Sequence, residues 1–133
     1  MPLSFELHHI AIQTRDIDKA LRFYRDHLGF SLLKEEVSPK GRKIFWLTQG
    51  TVRIELYSGK PGQGLSNRWD ANGLGPLSLG LLVPDLPRAL EQLKSHGIRV
   101  IREPYEPVPG ERASMIEGPD GEEIVLVEKP VTG

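Results

Sequence analysis

Residues 7–29 read Leu-His-His-Ile-Ala-Ile-Gln-Thr-Arg-Asp-Ile-Asp-Lys-Ala-Leu-Arg-Phe-Tyr-Arg-Asp-His-Leu-Gly, and the period of their apolar residues changes halfway. Residues 7–14 predict a strand, with Ile10 and Ile12 on one face and Leu7, His9, Ala11 and Gln13 on the other. From Asp16 the spacing predicts a helix, because Ile17, Ala20, Leu21, Tyr24 and Leu28 form one apolar stripe. Asp16 suits the N-cap, where a carboxylate accepts from the free amides of the first turn. Gly29 suits the left-handed residue that ends a helix. A strand running straight into a helix leaves His9 on the face turned away from that helix, where a ligand would sit. By the same alternation His8 turns toward the helix.

Outward from this stretch, residues 30–37 predict a strand and Ser38-Pro39-Lys40-Gly41 a turn. Residues 43–49 and 51–57 predict two strands joined at Gly50. The second alternates cleanly, with Val52, Ile54 and Leu56 on one face and Arg53, Glu55 and Tyr57 on the other. Residues 58–76 are a long loop rich in glycine and proline, and loops of that length tend to be linkers or active-site covers. Trp69 within it has two readings, an anchor that holds the loop on the core or part of a lid over a pocket.

The pattern then comes round again. Residues 77–83 predict a strand, and Asp85-Leu86-Pro87-Arg88-Ala89-Leu90 matches Asp16-Ile17-Asp18-Lys19-Ala20-Leu21. Leu86, Ala89, Leu90 and Leu93 repeat the stripe, Pro87 stands where the first turn of a helix tolerates it, and Gly97 closes the helix. Strands follow at 98–102, 112–117 and 122–127, with Gly118-Pro119-Asp120-Gly121 as the last turn. Ile124-Val125-Leu126 corresponds to Ile54-Glu55-Leu56. The chain is thus two copies of a strand–helix–three-strand module of about 60 residues each. Module 5–60 and module 77–129 are joined by loop 58–76 into one domain over 1–133.

Duplicated modules with joined strands and outward helices predict an α+β fold, a curved and mostly antiparallel sheet around a cup. His9, Gln13, Arg53, Glu55 and Tyr57 would line one wall, and Ser78, Gly80, Leu82, Glu123, Val125 and Val127 the other. One wall is polar and the other mainly apolar, which suits a small molecule with an oxygenated end and a greasy end. Trp46, Trp69 and the wall residues Gln13, Arg53, Tyr57, Ser78, Leu82 and Val125 are the candidate contacts to it.

Composition narrows the partners. A net charge of −1 gives no electrostatic reason for nucleic acid or an anionic membrane. The absence of cysteine excludes thiol nucleophiles, disulfides and zinc–cysteine sites. No basic segment followed by an apolar run marks a signal peptide, and no stretch approaches the roughly 18 apolar residues of a membrane span. A cytoplasmic protein is the expectation.

The sequence resembles the vicinal oxygen chelate superfamily, which includes glyoxalase I, methylmalonyl-CoA epimerase, extradiol dioxygenases and the bleomycin- and fosfomycin-resistance proteins. The resemblance rests on His9-Ile10-Ala11-Ile12 with Asp16, Phe23-Tyr24 and Leu28-Gly29-Phe30, then Ile54-Glu55-Leu56, then Gly118-Pro119-Asp120-Gly121 with Ile124-Val125-Leu126. It implies a homodimer. It also implies, for metal-using members, one ligand from the first and last strands of each module: here His9, Glu55, Ser78 and Val125. The first module keeps a histidine and a carboxylate, whereas the second offers a hydroxyl and a hydrocarbon. Octahedral ions need several protein donors, and the non-haem iron arrangement uses two histidines and a carboxylate. Three readings of His9 and Glu55 therefore stand: ligands of one divalent ion (Mn, Ni, Fe or Zn), a cross-strand pair, or Glu55 as a metal-free general base. The functional expectation is a protein that binds a small oxygenated, partly apolar molecule beside an incomplete metal site. The alternative is a metal-dependent lyase, isomerase or dioxygenase.

Overall fold

The computed structural model describes residues 4, 6–59 and 79–130. Trp69, Ser78 and all but the first two residues of the 58–76 loop lie outside them. The chain divides into two compact units, Met1–Ser66 and Asn67–Gly133.

The first unit runs β1 (Ile10–Thr14), α1 (Ile17–Arg22), a π-helical turn (Phe23–His27), β2 (Ser31–Val37), β3 (Lys43–Gln49) and β4 (Val52–Ser58). Its sheet has the order β1-β4-β3-β2. β1 runs parallel to β4, and the other neighbours are antiparallel. The second unit repeats this with β5 (Leu79–Val83), α2 (Leu86–Ser95), β6 (Val100–Tyr105), β7 (Ala113–Glu117) and β8 (Glu123–Glu128). Its order is β5-β8-β7-β6, again with the first and last strands parallel. The strand–helix–three-strand order expected of each module is therefore the observed one, carried by two four-stranded sheets of mixed direction.

Both helices start as the sequence predicts. Asp16 Oδ1 accepts from the Lys19 amide and Asp85 Oδ1 from the Arg88 amide, each at 3.1 Å. Gly29 and Gly97 take φ of 81° and 78°, which a side chain would strain. In each unit one sheet face is closed over by apolar residues. Ile17, Ala20, Leu21, Phe23, Tyr24 and Phe30 are buried with Phe45, Leu47, Ile54 and Leu56 of the first sheet. Leu86, Leu90 and Leu93 are buried, as are Ile116, Ile124 and Leu126 of the second. Each such aliphatic side chain taken out of water contributes about 1.5–3 kcal/mol.

Three local features depart from regular periodicity, and the first two correct expectations from the sequence. The first α-helix stops at Arg22 and widens into a π turn, in which the Leu28 amide donates to the Phe23 carbonyl at 3.1 Å. The wider turn sends the consecutive rings of Phe23 and Tyr24 inward together, edge to face at 5.0 Å, and Tyr24 meets Phe30 at 6.1 Å. Second, β1 starts at Ile10, so period-two alternation does not reach His8, and His8 lies with His9 rather than toward the helix. Third, β2 carries a bulge between Leu32 and Lys34. The extra residue changes the parity of the strand, bringing Lys34 opposite Trp46 and Glu36 opposite Ile44.

Candidate functional site

The face of the first sheet opposite its core is built by alternation along four strands. In β4, Ile54 and Leu56 go to the core, which leaves Arg53, Glu55 and Tyr57 half-buried on the other side. In β3, Phe45 and Leu47 go inward and Trp46 outward. Register sets the neighbours. Glu55 stands between Ala11 of β1 and Trp46 of β3, and Tyr57 between Gln13 and Ile44. Among the described residues Glu55 makes no hydrogen bond or ion pair. The cross-strand pairing of His9 with Glu55 expected from adjacent strands is not formed, since Ala11 holds the position opposite Glu55 and His9 engages other groups.

Those groups make a cluster. His8 Nδ1 and His9 Nδ1 are hydrogen-bonded at 2.8 Å, and Arg53 Nη1 donates to His8 Nε2 at 3.4 Å. The ring of His9 lies 5.0 Å from Trp46 and that of His8 6.3 Å, both nearly perpendicular to the indole. Trp46 is held from its other end, where its Nε1–H donates to Glu36 Oε1 at 2.7 Å. Lys34 Nζ lies 3.2 Å from the second Glu36 oxygen. The indole N–H first, and the ammonium second, hold the Glu36 carboxyl below its ordinary value. Arg42 sits over the Tyr57 ring at 5.4 Å.

The second sheet repeats the addresses with different chemistry. Val125 lies between Gly80 and Met115, as Glu55 lies between Ala11 and Trp46. Leu82 takes the place of Gln13 and is 62% exposed. The structure thus brings together His9, Trp46, Arg53 and Glu55 on one sheet face, with Gln13 and Tyr57 beside them. Leu82 and Val125 belong to the second unit. Sequence reasoning missed His8, Lys34 and Glu36. His8 required knowing where β1 begins, and the other two depend on the bulge in β2, which alternation alone does not reveal.

The donor set can be tested against a resident metal ion. His9 and Glu55 are nitrogen- and oxygen-bearing candidates, respectively, but Val125 carries hydrocarbon where the resemblance implies a ligand. Among the described residues no three histidine, aspartate or glutamate side chains gather in a metal-binding group. The described residues therefore do not fit a complete octahedral centre. No helix among them is long and apolar enough to cross a membrane.

Comparison with known proteins adds the family. The chain is 31% identical over 127 residues to a probable lactoylglutathione lyase of Synechocystis sp., covering 90% of this chain and 92% of that one. It is 28% identical over 128 residues to a lactoylglutathione lyase of Neisseria meningitidis, covering 91% and 88%. The solved structure of a glyoxalase family protein from Bacillus cereus superposes with a TM-score of 0.81 at 22% identity, covering 97% of both chains, which establishes the shared α+β fold. A family model matches from residue 6 through residue 126, spanning both repeats, and on that match the chain belongs to the Glyoxalase/Bleomycin resistance protein/Dioxygenase superfamily.

Proposed function

We propose that the chain binds a small oxygenated, partly apolar molecule on the open face of its first sheet. His9, Arg53 and Glu55 meet the oxygens, and Trp46 and Tyr57 meet the apolar part. The observation that carries this reading is Glu55, a half-buried carboxylate without a partner among the described residues, set beside an indole whose orientation is fixed by Glu36. A carboxylate removed from water needs a partner, and a ligand hydroxyl would supply one. Pairing of two chains into a dimer, as the resemblance implies, belongs to the same proposal and is read from the molar mass in solution.

The test uses Trp46 fluorescence in a Trp69→Phe background, with α-hydroxy acids, α-hydroxy ketones and catechols as probes, in the presence of EDTA. Saturable quenching that Glu55→Gln weakens about tenfold, roughly 1.4 kcal/mol, is the expected result. Quenching indifferent to both Glu55→Gln and His9→Ala would remove the site from this face.

A second reading has its own support in the relatives named lactoylglutathione lyase. In it the chain is a metal-dependent lyase acting on lactoylglutathione, with His9 and Glu55 as two of the ligands and the remainder supplied by substrate or water. Elemental analysis of protein purified without chelator separates the two readings. Stoichiometric Mn, Ni, Fe or Zn that is lost in His9→Ala, together with turnover of lactoylglutathione, would replace the first reading with the second.

A further inference from the structure

The contacts of Arg53, His8 and His9 carry a proton assignment. A guanidinium has only donors, so the bond from Arg53 Nη1 to His8 Nε2 at 3.4 Å makes that nitrogen the acceptor. A neutral imidazole with a bare Nε2 bears its proton on Nδ1. His8 Nδ1–H therefore donates to His9 Nδ1, 2.8 Å away. His9 Nδ1 is then an acceptor, and the remaining proton of a neutral His9 sits on Nε2. One obligate donor at the start of the chain fixes every proton after it. The flanking indole, 5.0 Å from the His9 ring and tied to Glu36, restricts rotation of that ring.

We propose that Arg53 and His8 lock His9 as a hydrogen-bond donor, so that its Nε2–H is offered to an oxygen of the bound molecule rather than a lone pair to a metal ion. Within this relay His8 is a positioning residue, Arg53 fixes its proton from the far side, and the His9 ring is the imidazole that meets the ligand. The assignment rests on the binding reading given above and names the acceptor that reading requires, a carbonyl, carboxylate or enolate oxygen.

The tautomers are read directly from imidazole 15N and ring-proton correlations in the full chain without any ligand, at pH about 8.5 where unperturbed imidazoles are neutral. His8 is expected with its proton on Nδ1, the less common form, and His9 with its proton on Nε2. In Arg53→Met, which keeps the stem and loses the donor, His8 is expected to revert to Nε2–H while the amide spectrum shows the fold unchanged. Zn²⁺ added at equimolar ratio should leave the wild-type His9 signals in place. His8 found as Nε2–H in the wild type, an unchanged His8 tautomer in Arg53→Met, or Zn²⁺ bound through His9 Nε2 would each overturn the proposal. Because no ligand is present, failure here is distinct from failure of the binding face, which the Trp46 quenching experiment reads separately.

Discussion

Trp46 and Glu36 are joined across neighbouring strands by an indole N–H to carboxylate bond of 2.7 Å, and that bond sets both the ring that faces His9 and the titration of the acid. Trp46→Phe keeps an aromatic ring and removes the donor. Glu36, followed by the NMR shift of its carboxyl carbon, should then titrate nearer the ordinary glutamate value of about 4.3. The sign of the linked stability follows from the lowered folded-state value. Its contribution is complete above the unfolded pKa and is lost as pH falls through the folded one. The stability gap between wild type and Trp46→Phe should therefore be widest at neutral pH and narrow in acid, as read by urea unfolding across that range.

The paired caps make a second prediction. Asp16→Ala and Asp85→Ala each remove one acceptor from the first turn of a helix. Each should lower unfolding free energy by about 1 kcal/mol, with Asn at either position recovering most of it. Equal stability of Asp85→Ala and wild type in denaturant would mean that the cap is not formed in solution.

Glu128 gives a third. One of its oxygens accepts from the Leu86 amide at 2.8 Å and the other lies 3.7 Å from Arg112, tying the end of β8 to the start of α2. Glu128→Ala should cost about 1–2 kcal/mol, whereas Glu128→Gln, which retains an oxygen acceptor, should cost less. Amide exchange at Leu86 reports the difference locally.

A fourth concerns Gly80. Among the described residues no heavy atom beyond its chain neighbours lies within 4 Å of where a Cβ would stand, and its backbone is not left-handed. Gly80→Ala should stabilise the protein by about 0.4–1 kcal/mol, because it reduces the freedom of the unfolded chain without a clash in the folded one. A fall in melting temperature would show that the position is filled in solution.

Most of the architecture was legible from 133 residues. The repeat, the two aspartate caps, the glycines at 29 and 97 and the faces of β4 each follow from local chemistry that the sequence states outright. What escaped was every feature in which backbone count departs from its regular period. The π turn at Phe23–His27 and the bulge after Leu32 each insert or redistribute one residue. A period inferred from side chains absorbs such an insertion without trace until the chain folds. The site suffered accordingly. Arg53 and Glu55 were visible because they stand on regular strand, and His9 because it directly precedes one, while His8 and Glu36 reach Trp46 only through a late strand start and a shifted parity.

The matched addresses of Glu55 and Val125 have a further consequence. Each lies on the last strand of its unit with a minimal neighbour, Ala11 or Gly80, on the parallel side and a large flexible or aromatic one, Met115 or Trp46, on the other. Such a niche tolerates an acid or an alkyl group with the same backbone beneath it. The same backbone address therefore carries an acid in one repeat and an alkyl group in the other with no change in the strand pairing around it.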